Sequence, residues 1–176
     1  MKKKILLWSV IALICCACIG GSTAAWLVGR ATVSNTFTVG NISISLIETT
    51  GSEYPLVPGT TVAKDPKVTV YGGSEECWLF VKIDNKLGET VTIDGLEKNG
   101  WSPVDGHAGY YMYAYAVGAG TVVPVFDSVT CDSNLDGAAL LAVDGQNITV
   151  TAFAVQSEGV SQEDAWDALG QHFTLN

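Results

Sequence analysis

Cys77-Trp78-Leu79-Phe80-Val81-Lys82-Ile83 is the most apolar run downstream of the amino-terminal leader, and its alternation decides the fold. Cys77, Leu79, Val81 and Ile83 fall on one side of an extended chain, Trp78 and Phe80 on the other. Both sides are apolar, which suits a strand covered on both faces near the middle of a sandwich. Immediately upstream, Lys67-Val68-Thr69-Val70-Tyr71 alternates with Val68 and Val70 on one side, and Gly72-Gly73 supplies the turn. Before it, residues 48–66 hold Pro55, Pro58, Gly59 and Pro66 and read as an ordered loop. Residues 41–47 read as strand again, alternating at Ile42, Ile44 and Leu46.

Downstream, residues 85–100 are polar, with a short strand expected around Val91 to Ile93. Trp101-Ser102-Pro103 and Asp105-Gly106 punctuate the next loop. Tyr110-Tyr111-Met112-Tyr113-Ala114-Tyr115 follows as an aromatic ladder in which Tyr111, Tyr113 and Tyr115 share one face, suited to cross-strand pairing. A stacking platform for a glycan or base is the functional alternative for those three tyrosines. Residues 121–130 form a strand candidate that Pro124 places at an edge or bulge, and residues 146–156 alternate over a long strand. The last element is helical: Ser161 can cap, Asp164 stands three residues on, and Ala165, Trp166 and Leu169 make an apolar face ended by Gly170. Several short strands and one short C-terminal helix define an all-β chain, an antiparallel β-sandwich, with a jelly roll as the preferred variant.

The amino terminus carries its own message. Lys2-Lys3-Lys4 precede an apolar run from Ile5 to Ile19, and Gly20-Gly21-Ser22-Thr23-Ala24-Ala25 follow, the order of a secretory signal peptide. A cut between Ala25 and Trp26 leaves small residues at the first and third positions before the bond; Ser22-Thr23-Ala24 before Ala25 fits about as well. The rival readings are an uncleaved anchor, since Trp26-Leu27-Val28 extends the apolar stretch towards the ~20 residues of a membrane helix, and a lipoprotein acylated on Cys18. The processed reading divides the chain into a signal peptide, 1–25, and one secreted domain, 26–176. Strand pattern resumes in residues 31–37, so cleavage frees a terminus on or beside a strand, and a free strand can pair with another chain.

Loss of Lys2, Lys3 and Lys4 leaves six of nine basic residues against eighteen acidic ones, a net charge of −12. Such a surface repels phosphate backbones and argues against nucleic-acid binding. Three of the five cysteines lie in the leader, leaving Cys77 and Cys131. They either pair, closing a long loop worth about 4 kcal/mol, or stand as two separate buried thiols.

The residues offer no recognisable enzyme. His107 and His172 are the only histidines, so a histidine-rich zinc site and an HExxH helix are excluded. No serine sits in a nucleophile motif and no glycine-rich loop opens a helix. Asp105-Gly106-His107 reads as a solvated turn, and Glu75-Glu76, Asp132, Asp136 and Asp144 as loop carboxylates able to touch calcium weakly, without EF-hand spacing. No cofactor, metal site or catalytic residue is expected.

Four blocks nevertheless carry a resemblance: residues 35–42 (Asn35-Thr36-Phe37-Thr38-Val39-Gly40-Asn41-Ile42), Val57-Pro58-Gly59 with residues 64–70, residues 73–83, and Thr151-Ala152-Phe153-Ala154-Val155-Gln156 with Ala165-Trp166. Together they are similar to the TasA/camelysin-like family, whose members carry a SipW-type signal peptide of Gram-positive bacteria. The resemblance implies a secreted jelly-roll protein of the biofilm matrix or spore surface, processed by a dedicated signal peptidase, whose freed N-terminal strand inserts into the next subunit to build fibres. Camelysin-type relatives are classed as metallopeptidases; no zinc motif accompanies the resemblance here, and that activity is not carried over.

The expectation is therefore a structural subunit that self-associates into fibres, with other matrix proteins as further partners. A segment of about 26–40 would act as donor strand, its Val33 and Phe37 filling pockets of a neighbour. A monomeric surface adhesin using the Tyr111, Tyr113 and Tyr115 face is the alternative from another class, and a secreted metallopeptidase the second.

Overall fold

The computed structural model describes residues 41–51 and 54–172. The leader, the bond between Ala25 and Trp26, and the expected strand with Val33 and Phe37 lie outside the described residues. Among the described residues, ten strands build three antiparallel sheets. The first contains β1 (Ile44–Ile47), β3 (Lys67–Val70) and β8 (Val122–Pro124) in the order β1-β3-β8. The second is β10-β4-β7-β6, built from β4 (Cys77–Asn85), β6 (Trp101–Pro103), β7 (Tyr110–Tyr113) and β10 (Ile148–Gln156). The third, β2-β9-β5, joins β2 (Thr61–Ala63), β5 (Val91–Asp94) and β9 (Ser128–Cys131). Two α-helices accompany them, α1 (Gly137–Ala142) and α2 (Gln162–His172).

The two faces of β4 take the two environments its alternation calls for. Cys77, Leu79, Val81 and Ile83 enter the main core, where Val68 and Val70 of β3 and Val123 of β8 meet them from the opposite sheet. Phe80 enters a second cluster with Val104, Tyr110, Ala165, Trp166 and Leu169, and Trp78 packs against its margin. Strand β4 is thus the layer shared by two cores, which is how a β-sandwich and a helix cover it from either side. Ile42, Ile44 and Leu46 pack on the main core as their alternation requires.

Helix α2 begins where the sequence places it. The Ser161 hydroxyl accepts the amide hydrogen of Asp164 at 3.1 Å and donates to that residue's carboxylate at 2.6 Å, closing the first turn. Trp166 lies between Phe80 and Tyr110, with ring centroids 5.6 and 5.3 Å away. The Trp78 indole donates to the Val160 carbonyl at 2.9 Å and fixes the approach to the helix. The helix runs past Gly170 to His172, since an isolated glycine weakens a helix by only about 1 kcal/mol.

Four local features depart from the sequence reading. The run 121–130 is two strands: Val125 and Phe126 are buried in the main core, and they carry the chain out of the first sheet into the third. Pro124 does end an edge strand, β8. Trp101-Ser102-Pro103 is strand β6, held because Trp101 is only 1% exposed and its indole donates to the Pro124 carbonyl at 2.8 Å. Within the proline-rich loop, Thr61–Ala63 pairs with β9. Helix α1 is an extra element, capped by the Asp136 carboxylate, which accepts the Ala139 amide hydrogen at 2.8 Å.

Gly109 is one of the positions that the fold reserves for glycine. Gly109 has φ +80° and a Cβ there would stand 2.8 Å from the Ile83 carbonyl oxygen, while Gly109's own carbonyl accepts the Ile83 amide at 2.8 Å. Only glycine permits that close approach beside β4.

Replacing Trp166 by alanine removes the centre of the second cluster. Urea unfolding followed by far-UV circular dichroism is expected to show a loss of about 3–5 kcal/mol, with the β signal of the native state retained.

Candidate functional site: the open edge at β10

Every open sheet has edges, and a long, flat, uncharged edge is a template for another strand. Most edges here are blunted. Strands β2, β6 and β8 are three residues each, β6 and β8 end in proline, β5 carries Asp94, and β1 is four residues long. Strand β10 differs: Ile-Thr-Val-Thr-Ala-Phe-Ala-Val-Gln runs nine residues without proline, glycine or charge. Among the described residues it pairs on one side only, with β4, from Ile148↔Asn85 to Gln156↔Cys77. Its Ile148, Val150, Ala152 and Ala154 point towards the main core and remain only partly buried.

Strand β1, the outer strand of the opposing sheet, lies close beside β10. The two strands flank a seam, with Ile44 and Leu46 on one side and Ile148, Val150, Ala152 and Ala154 on the other, all packed against the main core. At the Ile148 end the seam meets a half-open cavity of about 190 Å³, lined by Leu56, Val62, Phe126, Val129, Ile148 and Val150 and also by the polar Glu48, Lys64, Gln146 and Asn147. Cys131 also reaches this cavity.

A polar strap borders the cavity. The Lys64 ammonium meets the Glu48 carboxylate at 2.9 Å, lies 4.1 Å from the centre of the Tyr54 ring and donates to the Gly51 carbonyl at 3.1 Å. The neighbouring Asp65 carboxylate accepts the amide hydrogens of Thr49 at 2.8 Å and Thr50 at 3.0 Å, the Thr49 hydroxyl, and the Lys67 ammonium at 3.0 Å. Hydrogen bonds from Thr49 first, then from Lys67 and Thr50, hold the Asp65 carboxyl well below the usual carboxylate range.

The two cysteines among the described residues are separate free thiols, both buried, Cys77 in β4 and Cys131 in β9. Cys77 belongs to the second sheet and Cys131 to the third. Cys77 Sγ donates to the Val117 carbonyl at 3.6 Å. Burial, with a smaller contribution from Glu76, pushes this thiol up to about 11.

The ladder tyrosines divide. Tyr111 and Tyr113 pack half-buried on the main core, whereas Tyr115 stands beyond the end of β7, 69% exposed, with its ring edge-on to Tyr113 at 6.1 Å. His107 is exposed and sets its ring 5.0 Å from that of Trp166. Asp132 accepts the Asn134 amide hydrogen at 2.9 Å, and Asp136 is occupied as the cap of α1. Among the described residues, no three His, Cys, Asp or Glu side chains gather as a metal group, and no helix is long and apolar enough to cross a membrane.

Sequence reasoning did not single out the β10 edge or the cavity. The absence of proline, glycine and charge over residues 148–156 was a visible signal for the edge; the cavity lining comes from scattered segments and has no linear signature. The described residues define an all-β sandwich in which the long strand β10 stands at the end of its sheet. No family model, curated protein or solved structure matches the chain.

The thiol environments give a direct check. At pH 8 the folded protein is expected to leave Cys77 unmodified by iodoacetamide while denaturant releases it to full labelling, as mass spectrometry of the Cys77 peptide would report. For Asp65 the folded pKa lies below its unfolded value near 3.9. The strap's contribution is therefore complete above that value and is lost only as pH falls through the depressed folded pKa. Hydrogen exchange at the Thr49 and Thr50 amides should stay protected through mildly acidic pH, and Asp65→Ala, which removes the acceptor oxygen, should abolish that protection.

Proposed function

We propose that this chain is a secreted structural subunit of extracellular fibres, a TasA/camelysin-like protein of the biofilm matrix or spore surface. In this reading a signal peptidase cuts between Ala25 and Trp26, and residues of about 26–40, with Val33 and Phe37, leave their own domain. They add as a strand to the free edge of β10 in a neighbouring copy. Main-chain hydrogen bonds supply the affinity and alternate side chains enter the seam between β1 and β10. Head-to-tail addition of this kind does not close on itself and so yields filaments. The jelly-roll variant of the sandwich belongs to the same proposal.

The observation that carries the reading is the nine-residue uncharged edge of β10, beside which the other edges among the described residues are short or broken by proline or charge. The strand pattern of residues 31–37, beside a signal-like leader, supplies a matching donor. The net charge of −12 after cleavage keeps unassembled copies soluble until pairing begins.

The experiment compares exported protein starting at Trp26 with a version lacking residues up to Phe37, by electron microscopy and sedimentation. Fibres are expected from the first and monomers from the second; fibres of equal length from both would reject strand donation. Thr149→Lys with Thr151→Lys, at two exposed β10 positions, should likewise leave a folded monomer, because lysines on an edge oppose pairing.

A further inference from the structure

We propose that the cleft between helix α1 and residues 54–56 is a docking site for an extended peptide segment of another protein, one that carries apolar side chains beside lysine or arginine. The inference goes beyond the fibre reading and stands without it.

Exposure is the first argument. Helix α1 and the residue after it read Gly-Ala-Ala-Leu-Leu-Ala-Val, a run without a charged or hydrogen-bonding side chain. A helix that is apolar all round belongs inside a protein, yet none of the residues of α1 is buried. Leu141 is 77% exposed, more than any other large apolar side chain among the described residues. One exposed leucine is ordinary; a whole apolar helix left uncovered marks a contact surface.

Shape gives the form of the occupant. Across from Leu140 and Leu141, the residues Tyr54, Pro55, Leu56 and Leu87 complete a half-open cleft of about 420 Å³. The same four residues, with Gln146, also line the cavity of about 190 Å³ at the Ile148 end of β10. The two hollows therefore adjoin across a shared wall. A compact ligand fills one of them, whereas an extended chain seats an apolar side chain in each, since its side chains return to one side every second residue, about 7 Å apart. Gln146, common to both hollows, carries the donor and the acceptor that a peptide group requires.

Charge selects the partner. Asp136 caps α1 and Asp144 lines the cleft beyond the helix's other end, and residues 132–147 hold these two acids and Asp132 without a single base. Lys64 in the adjoining cavity is matched by Glu48 at 2.9 Å, and Lys86, next to Leu87 in the chain, by Asp84 at 3.0 Å. The rim is left negative, which favours and steers a segment with basic residues beside its apolar ones. A second copy fits poorly: without the leader lysines the chain has eighteen acidic residues against six basic ones, and pairing two equal patches about a two-fold axis sets Asp136 and Asp144 near their own kind. Anionic lipid meets the same repulsion.

The test is fluorescence anisotropy with exported protein starting at Trp26 and a dye-labelled peptide of lysine and leucine in strict alternation, compared with one in which glutamate replaces lysine. The lysine peptide is expected to bind more tightly by roughly ten-fold, and less so as salt rises. Leu141→Ser, at an exposed position where substitution leaves folding nearly untouched, should weaken that binding by roughly ten-fold, and Asp144→Lys should narrow the preference for lysine over glutamate. Equal binding of the two peptides, binding of neither, or binding indifferent to Leu141→Ser would overturn the inference. Dimerisation abolished by Leu141→Ser in sedimentation would assign the patch to a second copy, and flotation with phosphatidylglycerol vesicles lost in the same variant would assign it to a lipid surface; either result overturns the peptide assignment. Fibre formation by Leu141→Ser is expected to match that of the unaltered chain, so failure of this inference and failure of strand donation are read separately.

Discussion

Burial of β4 from both sides is the constraint on which the rest of the structure depends. A strand with apolar residues at nearly every position cannot sit at a solvated surface, so the chain must provide two covers. The first is the sheet β1-β3-β8, closing the main core over Leu79 and Val81. The second is α2, closing on Phe80 through Trp166 and Leu169. Both follow from side-chain alternation within one nine-residue stretch. Smaller contacts then brace the two covers: the Trp101 indole ties β6 to Pro124 of β8, and Gln162 donates to the Tyr113 carbonyl at 2.6 Å.

The parts of the fold that were legible in the sequence are those whose cause is local. The two faces of β4, the long alternation of β10 and the Ser161 cap of α2 each fit within a dozen residues, and each is present. The expected antiparallel sandwich with a C-terminal helix is present too. What escaped depends on distant partners. Strands β2 and β6 have three residues each, too few for alternation to register, and exist because β9 and β7 offer them partners. The run from Thr121 to Thr130 looks continuous because Val125 and Phe126 are as apolar as their neighbours; burial in the core, invisible in linear order, turns the chain between sheets.

The candidate site was less legible for the same reason. Residues 148–156 could be recognised as strand, but edge status belongs to the sheet order and not to the strand. The cavity wall draws Leu56 from a loop, Val62 from β2, Val129 from β9 and Ile148 from β10. The strap beside it is similar: Glu48, Tyr54 and Lys64 are ordinary surface residues until the turn brings them together. Its ion pair is half-buried, Lys64 more deeply than Glu48. What it adds is placement, holding the segment after β1 against the mouth of the cavity.

The ladder between β10 and β4 has a mechanical meaning. Antiparallel hydrogen bonds lie perpendicular to their strands, so tension applied along β10 loads the bonds of all nine paired positions at once. A pull in that direction must shear the whole ladder, whereas a pull across it would peel the bonds one after another. The outermost strand of the sheet is therefore anchored to its own domain in the geometry that best withstands stretching.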